Sequence, residues 1–255
     1  MMRTILFPPS VTIPILLLAG LSSCVTNYFV DPVPTPVFTA PWQGSVQANL
    51  SSHGKLFFEA AGSLPSNLVV VASRESWGHD LINDQEMTSI GFGQFRVRDH
   101  LTLLALGGFG AGSQRTGPNY LARLFNVPAR LVDGSSDFHK YFLEVEGATT
   151  DSINLFGSAN PVLTSSLGFG GRIEYLDRYR FNQTSRVAPS TGYSDTSVTI
   201  EKDPKHSLHL DLVSFVSVGI SFVQLYGQIL LCFPLSGYRE YLDFFVATAG
   251  VRLAF

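Results

Sequence analysis

The chain has 255 residues, of which 45% are hydrophobic, 12% aromatic and 15% charged. That length suits one large β domain or two small ones, and the charged share lies below the usual quarter. A formal net charge of −3 offers no basic field for a nucleic-acid partner.

The first residues stand apart. Arg3 supplies one positive charge, and residues 11–21 form an apolar run interrupted by Thr12, Pro14 and Gly20. A helix needs about 20 apolar residues to span a bilayer, so this run has the length of a signal-peptide core instead. Leu21-Ser22-Ser23-Cys24 follows it. This resembles the lipobox of bacterial lipoproteins, which implies that residues 1–23 are a signal peptide and that Cys24 is lipidated. An ordinary signal peptide with a chance Cys is the alternative. With 2 cysteines in the chain, only Cys232 would remain beside the lipid, and no intramolecular disulfide could form. Residues 25–41 carry Pro32, Pro34, Pro36 and Pro41. They read as an extended tether, stiffened toward polyproline II, so that 24–41 link the lipid to a folded domain over 42–255.

From Trp42 onward two-residue alternation replaces any convincing helical period. Ten strands are expected, at 43–50, 55–64, 67–77, 87–97, 101–113, 138–149, 163–181, 207–220, 223–235 and 241–255. Most are longer than the five or six residues of a globular strand, and about ten suffice to cross a membrane at a tilt. Tight connections at Pro65-Ser66, at Arg98-Asp99-His100 and at Ser221-Phe222 alternate with long polar ones at 78–86, 114–137 and 182–206. Short turns at one end and long loops at the other mark an outer-membrane barrel, and an even strand number puts both chain ends on the periplasmic side. The stretch 150–162 departs from this pattern, being a long connection where a short one is expected.

The alternation is clearest late in the chain. Leu208, Leu210, Leu212, Val216, Val218 and Ile220 oppose His209, Asp211, Ser217 and Gly219. Val223, Leu225, Gly227, Ile229, Leu231 and Phe233 oppose Gln224, Tyr226 and Gln228. In the last strand Phe245, Ala247, Ala249, Val251, Leu253 and Phe255 share a face and Arg252 lies on the other, where it is expected to meet a carboxylate. Aromatics gather toward the expected outer ends (Trp77, Tyr141, Tyr175, Tyr179, Tyr241), and Phe222 and Phe255 mark the opposite rim, as interfacial girdles would. A soluble sandwich or a lipocalin-like barrel would also alternate, but strand length favours a membrane. Closure removes both sheet edges, which hydrocarbon could not solvate.

On this register the inward face gathers Lys55, Glu59, Lys140, Glu144, Glu146, Arg172, Glu174, Arg178, Asp211 and Arg252. Five positive and five negative groups in so narrow a lumen suggest ion pairs that plug it, since a selective pore more often shows one sign in excess. Gly107-Gly108-Phe109-Gly110-Ala111-Gly112 lacks the Lys-Ser/Thr and the helix of a phosphate loop. These glycines, and Gly170-Gly171, read as bends or as room for a large neighbour. His53, His79, Asp80, Asp84, His139, His206 and Ser207 fall near the outer side, and His79 with Asp80 could serve as a general base. No nucleophile motif accompanies them. His206 and His209 face opposite sides of a strand, so they are poor co-ligands, and no metal or cofactor is expected.

With these features assembled, the chain resembles the small outer-membrane β-barrel proteins of Gram-negative bacteria. In that group a last strand with alternating hydrophobics and a final Phe resembles the signal read by the barrel assembly machinery; here Phe245, Val251, Leu253 and Phe255 carry it. Together with Leu21–Cys24 the resemblance extends to the barrel lipoproteins of Bacteroidota-like envelopes. It implies an all-β, antiparallel, up-and-down barrel of about ten strands in contact with outer-membrane lipids and lipopolysaccharide, and very little chemistry. The function expected is a structural or surface-interaction one, presenting the loops 114–137 and 182–206 to an extracellular ligand that the residues do not identify. A narrow channel, a rim hydrolase (omptin-like barrels are proteases that use rim Asp and His) and a soluble lipocalin-like lipoprotein are the alternatives.

Overall fold

The computed structural model describes residues 33, 35–52, 55–76, 83–116, 130–154, 162–187, 196–201, 206–220, 222–236 and 245–255. The strands are β1 (Gly44–Ser51), β2 (Leu56–Ser63), β3 (Leu68–Ser76), β4 (Asn83–Arg98), β5 (Leu101–Thr116), β6 (Arg130–Asn154), β7 (Val162–Val187), β8 (Thr196–Glu201), β9 (His206–Ile220), β10 (Val223–Ser236) and β11 (Phe245–Ala254). All pairings are antiparallel. Each strand of the wall pairs with the next in the chain, β7 pairs with β9, and β11 returns to β1. Short β8 sits on the far end of β7, between Asn182 and Val187, so ten strands make the closed ring.

Closure is a backbone event at the two ends of the wall. Ser45 lies opposite Ala254 and Ser51 opposite Thr248. The Gly44 N–H donates to the Phe255 carbonyl at 2.7 Å, and the Phe255 N–H donates back to Gly44 at 2.9 Å. No strand of the ring is left as an edge with unpaired N–H and C=O groups. The short-turn end is built from left-handed residues, Ser66 (φ 63), Asn67 (φ 58) and Asp99 (φ 54), all small polar types that tolerate that conformation.

The faces decide the environment. Leu143 is 69% exposed, Leu225 70%, and Val145, Phe169, Ile229, Val251 and Leu253 stand out from the wall with them. A soluble lipocalin-like barrel would turn such side chains inward; here they form the exterior, which only hydrocarbon can solvate without cost. The fold is therefore an all-β, closed, antiparallel up-and-down transmembrane barrel. Among the described residues no helix is long and apolar enough to cross a membrane, and the crossing is made by strands. Phe245, Val251, Leu253 and Phe255 all lie on the outer face, Phe255 at 79% exposure on the short-turn rim with Phe222. Tyr141 and Tyr175 stand at the other end with ring centroids 6.3 Å apart, and Tyr175 stacks on His206 at 5.6 Å. Trp77 and Tyr241 lie outside the described residues.

Several boundaries differ from the sequence reading. Residues expected in polar loops continue the ladder: β4 begins at Asn83, β5 reaches Thr116, and β6 and β7 pair from Arg130↔Val187 down to Asn154↔Val162. Beyond the hydrocarbon both faces of a hairpin meet water, so polar side chains are free to continue a register whose backbone bonds are already set. The connection expected at 150–162 shrinks for the same reason. The last strand starts at Phe245.

Inward glycines make room for aromatic rings. A Cβ on Gly168 would overlap the Phe215 ring, and one on Gly108 would overlap Phe142. Both rings fill the lumen from a neighbouring strand, Phe215 directly opposite Gly168 and Phe142 directly opposite Gly108.

Candidate functional site

The lumen is polar, and it contains a piece of the chain that is not part of the wall. Val33, Thr35 and Phe38 are buried inside the barrel. The sequence reading treats this stretch as tether outside the folded domain; residues 33 and 35–38 instead run through the lumen. Small inward side chains make the space: Ser45, Ser63, Ser73, Ser89, Ser166, Ser207 and Ser217 all point inside. The ten-stranded barrel thus holds an extended segment as well as its own side chains.

Both ends of the segment lie in apolar surroundings. Phe38 packs among Ala61, Val69, Val71, Phe95, Leu104 and Leu106 near the short turns, its ring 5.9 Å from that of Phe95. Val33 lies deeper, among Met87, Phe138, Leu176, Val213, Leu230, Cys232 and Val246, drawn from strands all round the ring. Between them the wall reaches in with hydrogen bonds. Gln228 Nε2 donates to the Val33 carbonyl at 2.9 Å, Arg252 Nη2 to the Thr35 carbonyl at 2.7 Å, and Thr102 Oγ1 to the Phe38 carbonyl at 3.2 Å. The Thr35 and Tyr226 hydroxyls share a hydrogen bond, and the Thr35 N–H meets the Glu59 carboxylate.

Arg252 is the node of this region. Its Nε donates to Gln47 Oε1 at 3.1 Å, and its guanidinium lies 4.6 Å from the centre of the Tyr226 ring. Its hydrogen bonds therefore go to Gln47 and Thr35, and the carboxylate comes one step later: Gln47 Nε2 donates to Glu59 Oε2 at 2.9 Å. Arg252, Gln47 and Glu59 are direct cross-strand neighbours on β11, β1 and β2. Side chains that alternate strictly about the pleat are brought into one inward row by that register alone.

A second row crosses β6, β7, β9 and β10, where Glu144, Arg172, Asp211 and Cys232 are successive cross-strand neighbours. Arg172 Nε donates to Asp211 Oδ2 at 2.9 Å, and its Nη2 lies 2.8 Å from the same oxygen and 3.2 Å from Glu174 Oε2. Lys140 Nζ is 3.6 Å from Glu174 Oε2. Just before β2, Lys55 pairs with Glu75 of β3 at 2.9 Å, and Gln85 of β4 donates to Glu75 at 3.3 Å. Arg178 Nη1 donates to Ser207 Oγ at 3.5 Å. Lys55, Glu59, Lys140, Glu144, Glu146, Arg172, Glu174, Arg178, Asp211 and Arg252 are all buried on the inner face. The ion pairs Lys55–Glu75, Lys140–Glu174 and Arg172–Asp211 each run along the wall, whereas Glu146 on β6 also feels the charges of Glu59 on β2 and Arg252 on β11 across the lumen.

Glu75, Gln47, Tyr226 and the 33–38 segment are absent from the sequence reading of the site. Glu75 was findable from the inward series Val69, Val71, Ser73, Glu75, but the run Val69-Val70-Val71 hides the parity. A cavity of about 470 Å³ opens at the short-turn end, with Phe255, Trp42 and Phe222 at its rim and Arg252, Gln224 and Phe38 farther in.

The residues considered for chemistry do not come together. Ser207 is inward while His206 is outward and 3.2 Å from Asp177, so neighbours in sequence cannot act as nucleophile and base. His209 is inside and His206 outside, and among the described residues no group of three or more His, Cys, Asp or Glu is placed to hold a metal ion. His139 stands on the outer face directly opposite Asp177. Cys24, His53, His79 and Asp80 lie outside the described residues.

No family model and no curated protein matches the chain. Among solved structures it is similar to "KdgM porin in complex with disordered oligogalacturonate" (10% identity, 84% of this chain and 99% of that one, TM-score 0.34). It is also similar to the Acinetobacter baumannii outer membrane protein Omp33 (8% identity, 84% and 97%, TM-score 0.27) and to the CymD monoaromatic hydrocarbon channel (9%, 84% and 88%, TM-score 0.25). These are distant likenesses, and the fold assignment rests on the closed ring and its apolar exterior.

Proposed function

We propose that the protein is a narrow outer-membrane channel whose lumen is closed by its own residues 33 and 35–38. The observation that carries this reading is the nature of the closure. The ion pairs of Lys55, Lys140 and Arg172 run along the wall, and the element in the middle is a stretch of chain outside the strand ladder, held by side-chain donors and two apolar sockets. A segment of that kind can leave without breaking a strand ladder, whereas a lumen sealed by the wall itself could open only by unfolding. Liposome swelling tests the idea. Vesicles carrying a Thr35→Val, Phe38→Ala chain should admit small polar solutes several-fold faster than vesicles carrying the unaltered chain. Equal rates with a folded double variant would remove the channel reading.

A second reading is a surface-presentation barrel. It is supported by the β6–β7 hairpin and β8, whose pairing from Arg130↔Val187 and Asn182↔Glu201 builds a platform beyond the apolar band. Either function sits with lipidation at Cys24 after removal of 1–23, with the short turns facing the periplasm, and with insertion by the assembly machinery through Phe245, Val251, Leu253 and Phe255. Metabolic labelling with a radiolabelled fatty acid tests the first of these: label should be incorporated by the unaltered chain and lost in Cys24→Ala.

A further inference from the structure

The wall around the segment reads one residue completely and its neighbours selectively. Thr35 presents three polar groups, and each meets its complement: the N–H meets the Glu59 carboxylate, the carbonyl accepts from Arg252, and the hydroxyl bonds to Tyr226. The residues flanking Thr35 in the sequence are both proline, which has no N–H to satisfy. Beyond them the wall offers donors to carbonyls at Val33 and Phe38 and an apolar socket for each of those side chains. The spacing suits an extended or polyproline II backbone, in which five steps cover about 15 Å.

From this complementarity we infer that the lumen is a peptide-binding site, specific for an extended segment with an apolar residue, a Thr two residues later and a Phe three residues after the Thr. Residues 33 and 35–38 occupy it in cis, and a second peptide of that pattern takes it in trans when they leave. The inference rests on the proposed ability of the segment to leave the lumen, but not on solute flow. A static filler would need only bulk and apolar contact. Three separate groups of the wall, from β2, β10 and β11, converging on the polar atoms of one residue are instead a recognition device: the wrong occupant would take the Thr35 hydroxyl from Tyr226 and leave Glu59 and Arg252 with only Gln47 of these partners.

The test uses a capped, fluorescently labelled peptide of the sequence of residues 33–38 and the full chain in detergent. A receiving chain with Thr35→Val and Phe38→Ala in its own segment should bind the peptide saturably and at least ten-fold more tightly than the unaltered chain, whose segment competes. The same peptide with Val in place of its Thr should bind at least ten-fold more weakly. Absence of saturable binding, or indifference to that Thr, overturns the inference. If the receiving chain fails to fold, the unaltered chain with Val37→Cys replaces it. Excess peptide should then speed reaction of the new thiol with a bulky maleimide several-fold, and an unchanged rate overturns the inference. Peptide binding without solute flow would support the inference while removing the channel reading; flow without binding would do the reverse.

Discussion

Arg252 on the last strand donates to the carbonyl of Thr35 at 2.7 Å, joining positions 217 residues apart inside the barrel. The same guanidinium reaches Gln47 on the first strand. One side chain thus ties together the strand that closes the ring, the strand it closes against and the segment that fills the lumen. Replacing Arg252 by Leu should loosen all three. The expected result is a loss of about 3 kcal/mol, as for the removal of one member of a buried charged network, read as a lower melting point in heat-modifiable gel migration. Solute entry should rise in parallel. An unchanged melting point would mean that the contacts carry no load.

Arg172 is placed differently, since its partners are on the wall. Arg172→Leu leaves Asp211 and Glu174 buried without it, and should cost about 3–5 kcal/mol. Adding Asp211→Leu should recover much of that loss, because an apolar pair replaces a charged one. Additive losses in the double variant would show that the two residues do not interact.

Gly168 accommodates Phe215, so Gly168→Val should destabilise the barrel by overpacking, by about 1–3 kcal/mol. Phe215→Ala in the same chain should relieve part of this. If the double variant melts no higher than Gly168→Val alone, the overlap is not the cause.

The outer face makes an independent demand. Leu143→Arg places a charge on the exposed apolar surface and should cost about 2–4 kcal/mol if that surface meets the bilayer interior. Refolding into lipid vesicles measures it. A cost near zero would remove residue 143 from hydrocarbon.

How much of this was legible follows from where the two faces differ chemically. In β9, β10 and β11 the outer face is mostly apolar and the polar side chains fall mostly on the inner one, so the register and the inward position of Arg252 can be read from alternate residues even though Val213, Phe215, Leu230 and Val246 also face inward. In β3 three consecutive valines erase the contrast, and Glu75 is lost with it. The ends of β5, β6 and β7 extend beyond the apolar band, where neither face is selected for hydrophobicity and only backbone pairing continues the strand. The segment at 33–38 is the largest difference. Its prolines are those of a solvated linker, and nothing local marks it as a lumen occupant except the incongruous Val33, Val37 and Phe38. Its place depends on Arg252, Gln228 and Thr102, contacts that no short window of sequence contains. Equally, cross-strand rows such as Glu144, Arg172 and Asp211 need the register before charge balance can be separated into pairs along the wall and pairs across the lumen.

Single-channel recording in planar bilayers addresses the central claim most directly. The unaltered chain and the Thr35→Val, Phe38→Ala chain are inserted side by side, with folding of each checked by gel migration. The account predicts a largely silent unaltered barrel and stable conductance steps from the variant. A folded variant that remains as silent as the unaltered chain would contradict closure by residues 33–38 and return the lumen to the wall's own side chains.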